Sequence, residues 1–395
     1  MIKLINIKES KEKIGIGTIS LSVYFALAPL DTFSIIPGIS ILRILAFFPL
    51  IINLIYIISN KRKFSRQNLG VWLYLSFFIY CIIGYYYSVN SYFTINRIIT
   101  NGLSSILIIL CTLVKYNNKE IEFLKKSMVL MAWITIILSI TKSSTVGYGR
   151  MAFSIGSVVE DSNAICSYFI FGCIYYLDKL YSSKSFNRIY SIIPIILFLY
   201  YALLTGSRGG VLSILISITI YIILHLKIDR KIIIRLLIAL VTFILCIILI
   251  KFFISLMPEE LKMRFSYKFF LQDKGGGRFN IWTNALNIIH NSKSSRILFG
   301  YGPGTIIELL YGEVAHNTLV EIFIESGLIG LIIILCTFIN YLWISIKEKE
   351  YVLFSVFIGY LVVGMGISMT SFKPLWNIMI LISIYYGANK RNIVK

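Results

Sequence analysis

The sequence predicts an all-α polytopic membrane protein, and three observations lead to that class. Mean hydropathy is +0.82, and only 14% of the residues are charged, whereas soluble domains average about 25%. Apolar segments recur at roughly the length of about 20 helical residues that crosses a hydrocarbon core. A single long polar segment interrupts this pattern in the second half of the 395-residue chain.

The apolar segments predict about twelve transmembrane helices, the fifth of them short. They lie at 14–30, 39–58, 69–87, 95–114, 127–141, 163–181, 189–205, 211–226, 232–256, 316–345, 351–369 and 374–388. We therefore divide the chain into three parts. Residues 1–256 form a bundle of spans one to nine, 257–315 form a long extracytoplasmic loop, and 316–395 hold spans ten to twelve and a cytoplasmic tail.

The net charge of +20 follows this topology and does not indicate nucleic-acid binding. Lysine and arginine in short loops are retained on the cytoplasmic side during insertion. The inward segments carry 24 of these residues, and the short outward loops carry only Lys142, Arg150, Arg208 and Lys373. Both termini are therefore expected in the cytoplasm, with the protein in the inner membrane and its long loop facing the periplasm or the outside. The long loop departs from this bias, because it carries many cations although it faces outward. Long loops are less bound by the rule, and a binding role would explain the cations.

Apart from the cations counted above as inward, three lie within predicted spans, each near the outward end of its helix: Arg43, Arg97 and Lys251. They can snorkel to the interface, or they can line an outward-facing cleft and meet an anionic headgroup. The centre of the bundle holds almost no charge. Transporters more often place ionisable residues near the midplane, so this pattern argues against transport.

Polar residues gather where spans five and six connect. Arg150 lies in the loop 142–162, and Glu160, Asp161 and Asn163 stand at the start of span six. Asp, Ser and Asn commonly cap helices, so one interpretation is structural. The other is that a carboxylate here accepts a proton or hydrogen-bonds substrate hydroxyls.

The connection between spans seven and eight, residues 205–210, reads Thr-Gly-Ser-Arg-Gly-Gly. Glycines permit close backbone approach, and successive N–H groups in such a turn can bind an anion. The fork of Arg208 suits phosphate oxygens. A bare turn needs glycine but not arginine, so we favour an anion-binding segment over a simple connection.

The long loop begins with residues 261–269, whose alternation suits a strand or an interfacial segment equally. The glycines at 275–277 predict a flexible joint. A helix is expected over 278–290, where four apolar side chains form one stripe that packs against the bundle or lies in the membrane interface. They are Phe279, Trp282, Leu286 and Ile289. Arg278 stands in the first turn, where a cation opposes the helix dipole, which suggests a binding role.

The glycines of 300–304 superficially match a nucleotide loop, but no βαβ context exists and no Gly-Lys-Ser/Thr follows, so a rigid turn is expected. His316 and Asn317 then open span ten. The three histidines form no His-x-x-x-His pair, and the sequence offers no plausible set of three metal ligands among the outward residues. We therefore predict chemistry without a metal or other cofactor.

Taken in order, these motifs resemble the O-antigen polymerase and O-antigen ligase superfamily, membrane glycosyltransferases of bacterial surface polysaccharides. The resemblance covers roughly residues 200–376. It rests on 205–210, Gly277-Arg278-x-x-x-Trp282, Phe299-Gly300-x-Gly302-x-Gly304, and His316-Asn317 followed by Gly327 and Gly330. One departure is Asp161-Ser162-Asn163, where related chains often have Asp-Pro-Asn, and this leaves the role of Asp161 open.

The resemblance implies a donor saccharide on a polyprenyl (undecaprenyl) diphosphate in the outer leaflet, attacked by an acceptor hydroxyl. Arginines would stabilise the leaving diphosphate, and His316 is the first choice for the base, followed by Glu313 and Glu160. Candidate diphosphate ligands are Arg208, Arg278, Arg150, Arg97, Arg43 and Lys251. Candidate sugar ligands are Asp161, Asn163, Asn317 and Trp282.

We favour a polymerase of O-antigen or capsular repeat units, partly by analogy with the Ile-, Tyr- and Phe-rich composition of such enzymes. The alternatives are a ligase that transfers the glycan to lipid A-core, and a polysaccharide transporter or lipid flippase. Expected partners are the lipid-linked oligosaccharide as donor and acceptor, the bilayer, and a flippase and a chain-length regulator.

Overall fold

The computed structural model describes residues 13–36, 39–182, 189–225, 232–370 and 372–389. Most of these residues form helices, and a few form short strands. The helices are α1 (Ile16–Ala26), α2 (Ile41–Ile58), α3 (Leu69–Ile83), α4 (Ser91–Leu113), α5 (Asn118–Thr141), α6 (Ser162–Ser182), α7 (Ile189–Leu204), α8 (Arg208–His225), α9 (Ile232–Ser255), α10 (Glu259–Arg264), α11 (Tyr267–Gln272), α12 (Arg278–His290), α13 (Ser294–Phe299), α14 (Ile306–Leu309), α15 (Thr318–Lys347), α16 (Tyr351–Gly364) and α17 (Lys373–Asn389). The strands are β1 (Ser34–Ile36), β2 (Ile39–Ser40), β3 (Ser143–Val146), β4 (Arg150–Ile155) and β5 (Val158–Val159).

Each predicted span coincides with one helix, from α1 to α9 and from α15 to α17. Among the described residues, six helices are long and apolar enough to cross a membrane, and four shorter helices are apolar. The six are α2, α3 with the turn that follows it, α4, α5, α8 and α15. A helical membrane protein is therefore confirmed, while the number of about twelve spans stays a prediction.

A small antiparallel sheet between α5 and α6 departs from the all-α expectation. In it β3 pairs with β4, and β4 pairs with β5. The turn that joins β3 to β4 has positive φ at Tyr148 and Gly149, a conformation that suits a tight hairpin. Phe153 of β4 is fully buried and anchors the sheet to the bundle. The hairpin carries Arg150 at the first position of β4.

Side-chain contacts join connections that the predicted topology places on the same side. The Thr32 hydroxyl, between α1 and α2, donates to Glu160, between β5 and α6. Both connections are predicted to face outward. Lys125 of α5 pairs with Glu350, between α15 and α16, at 2.8 Å, and both are predicted to lie inside. These contacts agree with an alternating path through a membrane.

The segment 257–315 is largely helical, since it contains α10 to α14. The strand expected as one alternative over 261–269 is wrong, because α10 and α11 occupy that range. The three glycines at 275–277 form an ordered left-handed turn, with φ of 69°, 78° and 79°. The backbone N–H groups of Gly276 and Gly277 both donate to the Asp273 carbonyl, at 2.9 and 2.8 Å. The expected joint is thus a left-handed turn that leads into α12, and its flexibility stays a prediction.

Helix α12 has the predicted bounds, and only part of the predicted stripe packs against the rest of the protein. Phe279 and Leu286 are 41% and 60% exposed, whereas Ala285, outside the stripe, is fully buried. Ile281, Ile288 and the stripe residue Ile289 join Ala285 in a small apolar cluster with α14 and the start of α15. The exposed part of the stripe is compatible with a position in the membrane interface, which stays a prediction.

The expected rigid turn at 300–304 is confirmed, and it docks onto a kink in α15. Gly300, Gly302 and Gly304 all have positive φ. Gly327, inside α15, has φ 63° and ψ −169°, which interrupts the helix. The interruption exposes backbone carbonyls, and Tyr301 N and Gly302 N donate to those of residues 324 and 325, each at 2.9 Å. A Cβ on Gly300 or Gly327 would overlap the backbone of the other segment.

Candidate active site

A cavity of about 590 Å³ lies where the α5–α6 hairpin, the α7–α8 turn and the long segment meet. It is rich in arginine and glycine. Its lining consists of Val146, Gly147, Tyr148, Arg150, Asp161, Asn163, Arg208, Gly209, Arg264, Asp273, Gly275, Gly276, Gly277, Arg278 and His316. We refer to this space as the cationic cavity.

Four helix N-termini surround the cationic cavity. Asn163 belongs to the first turn of α6, Gly209 to the first turn of α8, and Arg278 begins α12. His316 precedes the first residue of α15 by two positions. Helix N-termini present the positive end of the helix dipole, together with N–H groups wherever no side chain caps them. Their convergence therefore favours an anion in this cavity.

The side chains that line the cationic cavity also carry a net positive charge. Four arginines line the cavity and two carboxylates accompany them, which leaves a net charge of +2 with His316 neutral. The arginines are Arg150, Arg208, Arg264 and Arg278, and the carboxylates are Asp161 and Asp273. An excess of fixed positive charge in a partly enclosed space attracts anions.

The α7–α8 turn anchors two of these arginines through its carbonyl groups. Arg150 Nε donates to the Thr205 carbonyl at 2.9 Å, and Arg264 Nε donates to the Gly206 carbonyl at 3.3 Å. Gly206 has φ 61°, a left-handed conformation that glycine adopts without strain. The turn that the sequence marked as an anion site thus also holds neighbouring cations in place.

Arg208 and Arg278 differ in how far they are already paired. Arg208 Nη2 contacts Asp273 Oδ2 at 2.9 Å, and its Nη1 donates to the Arg264 carbonyl at 3.2 Å. Within the described ranges, Arg278 makes neither a salt bridge nor a hydrogen bond through its side chain. Its pKa is lowered by burial and by the positive charges of Arg150 and Arg208. Arg278 is therefore the cation with the most unused hydrogen-bonding capacity.

Arg264 is the functional candidate that sequence reasoning did not single out. Burial and the charges of Arg150 and Arg208 lower its pKa to about 10. Its guanidinium also lies over the Tyr148 ring, 5.7 Å from the centroid. The excess of cations in the long loop was the available signal, but nothing local separates Arg264 from its neighbours. Only the fold places it among the other arginines.

Asp161 and Asn163 form a hydrogen-bonded pair at the cavity wall. Asp161 Oδ1 accepts from the Asn163 backbone N–H at 2.8 Å and from its side-chain amide at 2.9 Å. Asn163 Oδ1 in turn accepts from Arg150 Nη2 at 3.1 Å. Asp161 therefore caps α6, as the structural interpretation predicted, and Asn163 is the residue whose N–H it accepts. Both also line the cavity, so a binding role remains compatible with the geometry.

His316 reaches the cavity from an unusual backbone conformation. Its φ is 48°, in the left-handed region that non-glycine residues rarely adopt. Such strain is found at functional sites more often than elsewhere. In the described part of the chain the imidazole has no hydrogen-bond partner. Burial and the nearby charge of Arg278 lower the pKa of His316, so the ring is neutral at pH 7.

The neighbouring Asn317 has a structural function in this fold. Its Oδ1 accepts from Leu319 N at 3.0 Å and Val320 N at 3.2 Å, which caps α15. The cap therefore belongs to Asn317 and not to His316. Asn317 is buried and does not line the cationic cavity, so the expected contact with sugar is not supported by its position.

Trp282 was also expected to contact sugar, but its indole is used elsewhere. Trp282 Nε1 donates to the Ala315 carbonyl at 3.0 Å. Trp282 does not line the cationic cavity. Glu313, a candidate base, is exposed and lines neither this cavity nor the one beside it.

The three cations within the helices do not join the cationic cavity. Arg97 of α4 pairs with Glu321 at 2.8 Å and with Glu325 at 3.5 Å, both on α15. Arg43 donates to the Thr100 hydroxyl at 2.7 Å, and Lys251 is exposed on α9. The structure thus places these three cations in different surroundings. The ion pairs of Arg97 instead hold α4 against the first half of α15.

Glu160 lies in a second, smaller cavity beside the first. It is 3% exposed, and burial raises its pKa to about 7. Its two oxygens accept hydrogen bonds from the hydroxyls of Thr32 and Tyr168. A carboxyl group that titrates near neutral pH is suited to proton transfer, so Glu160 retains its place among the candidate bases.

In the described ranges, no three or more His, Cys, Asp or Glu side chains are grouped so that they could hold a metal ion. The arginines and helix N-termini are the groups available to bind an anionic ligand directly. Metal independence remains a prediction from the sequence.

Comparison with known proteins identifies a family over part of the chain. Residues 193–335 match the family described as O-antigen ligase. The match includes Arg208, Arg264, Arg278 and His316, and it confirms the resemblance to the O-antigen polymerase and ligase superfamily. It supports a membrane enzyme of the O-antigen polymerase or ligase type. Arg150, Asp161 and Glu160 lie outside the matched range.

The fold was also compared with solved structures. The chain is similar, with a TM-score of 0.48 and 12% identity, to a chain in a structure described as "Structural coordination of polymerization and crosslinking by a peptidoglycan synthase complex". The similarity covers 82% of this chain and 99% of that one. Comparison with curated proteins finds no match.

Proposed function

We propose that this protein is a membrane glycosyltransferase that polymerises oligosaccharide repeat units carried on polyprenyl diphosphate. The observation that carries the proposal is the cationic cavity itself. It combines a net charge of +2, four helix N-termini and a neutral, unpaired His316. A diphosphate ester needs positive charge around its oxygens, and a sugar hydroxyl needs a base near its attack position.

In this proposal the donor diphosphate binds between Arg278 and the other three arginines. Arg278 supplies unused guanidinium N–H groups in a planar fork that matches phosphate oxygens. Arg208 is oriented by Asp273, and Arg150 and Arg264 are oriented by carbonyls of the α7–α8 turn. The charges are placed before the substrate arrives, which is the arrangement that lowers a barrier by electrostatic stabilisation.

The reaction is a substitution at the anomeric carbon of the donor sugar. The acceptor oxygen forms a bond to that carbon, and the bond from the carbon to the diphosphate oxygen breaks. The electron pair leaves with the polyprenyl diphosphate, whose developing charge the arginines stabilise. The acceptor hydroxyl proton passes to His316, which is neutral at pH 7 and has no competing hydrogen bond. General-base assistance of this kind contributes about 10²- to 10⁴-fold.

The proposed acceptor is a second lipid-linked repeat unit. The lysines and arginines of the short connections support a setting in the inner membrane with the cavity on its outer face. A flippase that delivers the lipid-linked units and a chain-length regulator are the proposed partners. A ligase would use the same donor but would transfer the glycan to lipid A-core sugars.

The profile of surface glycan and lipid-linked intermediates in cells that lack the gene tests this proposal. Loss of a polymerase leaves surface chains with a single repeat unit, and the wild-type gene restores the ladder. Polymer that accumulates on the lipid carrier indicates the ligase instead. Accumulation of intermediates in the cytoplasmic leaflet indicates a flippase, and it would overturn the assignment as a glycosyltransferase.

A further inference from the structure

We propose that the cavity beside the cationic cavity binds the acceptor sugar, and that it favours a hydroxyl-bearing sugar without negative charge. The inference rests on the proposed glycosyl transfer and assigns the second substrate to its own site. This cavity has a volume of about 320 Å³. It is lined by Ala28, Asp31, Thr32, Val159, Glu160, Asp161, Ala164, Tyr168, Val314, His316, Ile367, Ser368, Phe372 and Lys373. We refer to it as the acceptor cavity.

The two cavities meet at the proposed base. Asp161 and His316 line both of them. A hydroxyl in the acceptor cavity and an anomeric carbon in the cationic cavity would therefore both lie near His316. This arrangement lets one imidazole take the acceptor proton while the arginines hold the leaving diphosphate.

The electrostatics of the two spaces are opposite. Asp31, Glu160 and Asp161 oppose Lys373 in the acceptor cavity, which leaves a net charge of −2 with Glu160 ionised and −1 with Glu160 protonated. The cationic cavity has a net charge of +2. Like charges in a confined space repel, so the acceptor cavity disfavours a second diphosphate and an acidic sugar. The opposite charges of the two cavities thereby distinguish the diphosphate end of the donor from the sugar end of the acceptor.

Lys373 is the observation that points most directly to a ligand. Its side chain is only 5% exposed, yet its ammonium donates no hydrogen bond to any group in the described part of the chain. The nearest carboxylate oxygen, Asp31 Oδ2, is 3.8 Å away, which is beyond hydrogen-bond distance. Buried ammonium groups normally have their donors occupied. Sugar oxygens in the cavity would accept them.

A second polar group of the cavity lining also lacks a hydrogen-bond partner. The Ser368 hydroxyl is buried without a hydrogen-bond partner in the described structure. Glu160, on another wall, is held at both oxygens by Thr32 and Tyr168. These hydrogen bonds give Glu160 a defined orientation, and a carboxylate oxygen has lone pairs for a further donor. The cavity thus offers donors and acceptors at fixed positions, as recognition of several hydroxyls requires.

The remaining wall is apolar. The rings of Tyr168 and Phe372 stack with centroids 5.7 Å apart and an interplanar angle of 19°. Ile367 and Ala28 extend the apolar surface. A few polar groups at fixed positions on a mainly apolar lining are typical of a small-molecule site.

The test uses purified full-length protein in lipid nanodiscs, with native lipid-linked repeat units as substrate. The probe for the acceptor site is the free repeat-unit oligosaccharide, released from the same lipid by mild acid. It lacks diphosphate and lipid, so it does not compete for the diphosphate position of the cationic cavity. Inorganic diphosphate serves as the separate probe for the donor site. The rate of chain extension is measured at increasing concentrations of each inhibitor, which gives the two inhibition constants.

For Lys373→Met and Ser368→Ala we expect the inhibition constant of the free oligosaccharide to rise about tenfold or more. The inhibition constant of inorganic diphosphate should stay within about twofold of wild type, which also shows that the variants fold. Ser368→Ala removes only an oxygen and serves where Lys373→Met fails to fold. Oxidation of the primary hydroxyls of the oligosaccharide to carboxylates should weaken its inhibition of the wild-type protein at least tenfold.

Two results would overturn the acceptor assignment: unchanged inhibition by the oligosaccharide in both variants, or equal inhibition by its oxidised and native forms. The failure of the proposed function is a different result. In that case the wild-type protein forms no polymer, or inorganic diphosphate does not inhibit it. The two failures are therefore separable in one set of assays.

Discussion

Trp282 Nε1 and the Ala315 carbonyl oxygen are joined by a hydrogen bond of 3.0 Å. This bond ties α12 to the residue that directly precedes His316. Because α12 begins at Arg278, the same helix carries the least-paired arginine of the cationic cavity. One hydrogen bond therefore couples the position of the proposed base to that of a proposed diphosphate ligand.

Replacement of Trp282 by Phe tests this coupling. The ring stays apolar, but the N–H donor is lost, which costs about 1 kcal/mol of local hydrogen-bond energy. A misplaced catalytic group can reduce rates by up to about 10², so we expect kcat to fall about tenfold or more. Inhibition by inorganic diphosphate should stay near wild type.

Trp343→Phe is the matched control, since Trp343 lies on α15 with 63% of its surface exposed. It should leave kcat unchanged. Wild-type turnover in Trp282→Phe would show that the hydrogen bond does not position His316.

The arginines should respond unequally to conservative replacement. Arg278→Lys and Arg208→Lys are both expected to impair activity, because a point ammonium cannot replace a planar fork. Arg278→Lys should raise the KM for the donor more, since Arg278 is unpaired whereas Arg208 is held by Asp273. Steady-state kinetics of the purified variants at matched folding measure this difference.

Lys268→Ala is the control for these variants, because Lys268 is an exposed cation of the same segment that does not line the cavity. It should behave as wild type. Full activity in both Arg208→Lys and Arg208→Ala would reduce residues 205–210 to a structural turn.

Substitution of His316 is the most direct test of the proposed chemistry. His316→Ala should lower turnover by about two to four orders of magnitude, with donor binding nearly intact. His316→Gln should not restore it, because glutamine forms hydrogen bonds but does not take the proton. A normal polymer ladder from cells that express His316→Gln at matched protein level would show that His316 is not the base, and Glu160 would become the leading candidate.

The pH profile gives an independent reading of the same residue. The pKa of His316 lies below its usual value of about 6.5, because of burial and the charge of Arg278. A base acts in its neutral form, so kcat/KM should fall as the pH drops through this lowered pKa and level off above it. Arg278→Gln removes the nearby positive charge, so the acid limb of its residual activity should move to higher pH. An acid limb that stays in place would argue against titration of His316.

Removal of divalent metal should leave the reaction unaffected. The proposal assigns stabilisation of the leaving diphosphate to arginines and helix N-termini, so polymer formation should continue in excess EDTA. The measurement is chain extension by purified protein after chelation. Activity that disappears and returns with Mg²⁺ or Mn²⁺ would contradict the role given to the arginines.

The topology is open to a direct test. A reporter fused after Lys395, which lies outside the described residues, should report the cytoplasm, and one inserted near Lys274 should report the outside. The reason is the concentration of lysine and arginine in the segments predicted to face inward. Both reporters on one side would show that the number of spans between them is wrong by an odd number.

The sequence by itself determined the helical membrane class, the positions of the long helices and the bounds of α12. Those features depend on apolar segment length and helical period, which are properties of neighbouring residues. The turn at 300–304 was also predictable, because clustered glycines permit left-handed conformations. Each of these signals is local, so it survives without knowledge of the fold.

Only the tertiary structure decided which polar residues meet. Arg150 reaches Thr205 and Arg97 reaches Glu321 across long separations in sequence. The packing of α4, α6 and the hairpin determines these pairs, and no local sequence pattern predicts that packing. Trp282 and Asn317 were expected to bind sugar, but their polar atoms are used by the backbone around α15. Buried polar groups must find partners, and which partner each one finds depends on the arrangement of the whole chain.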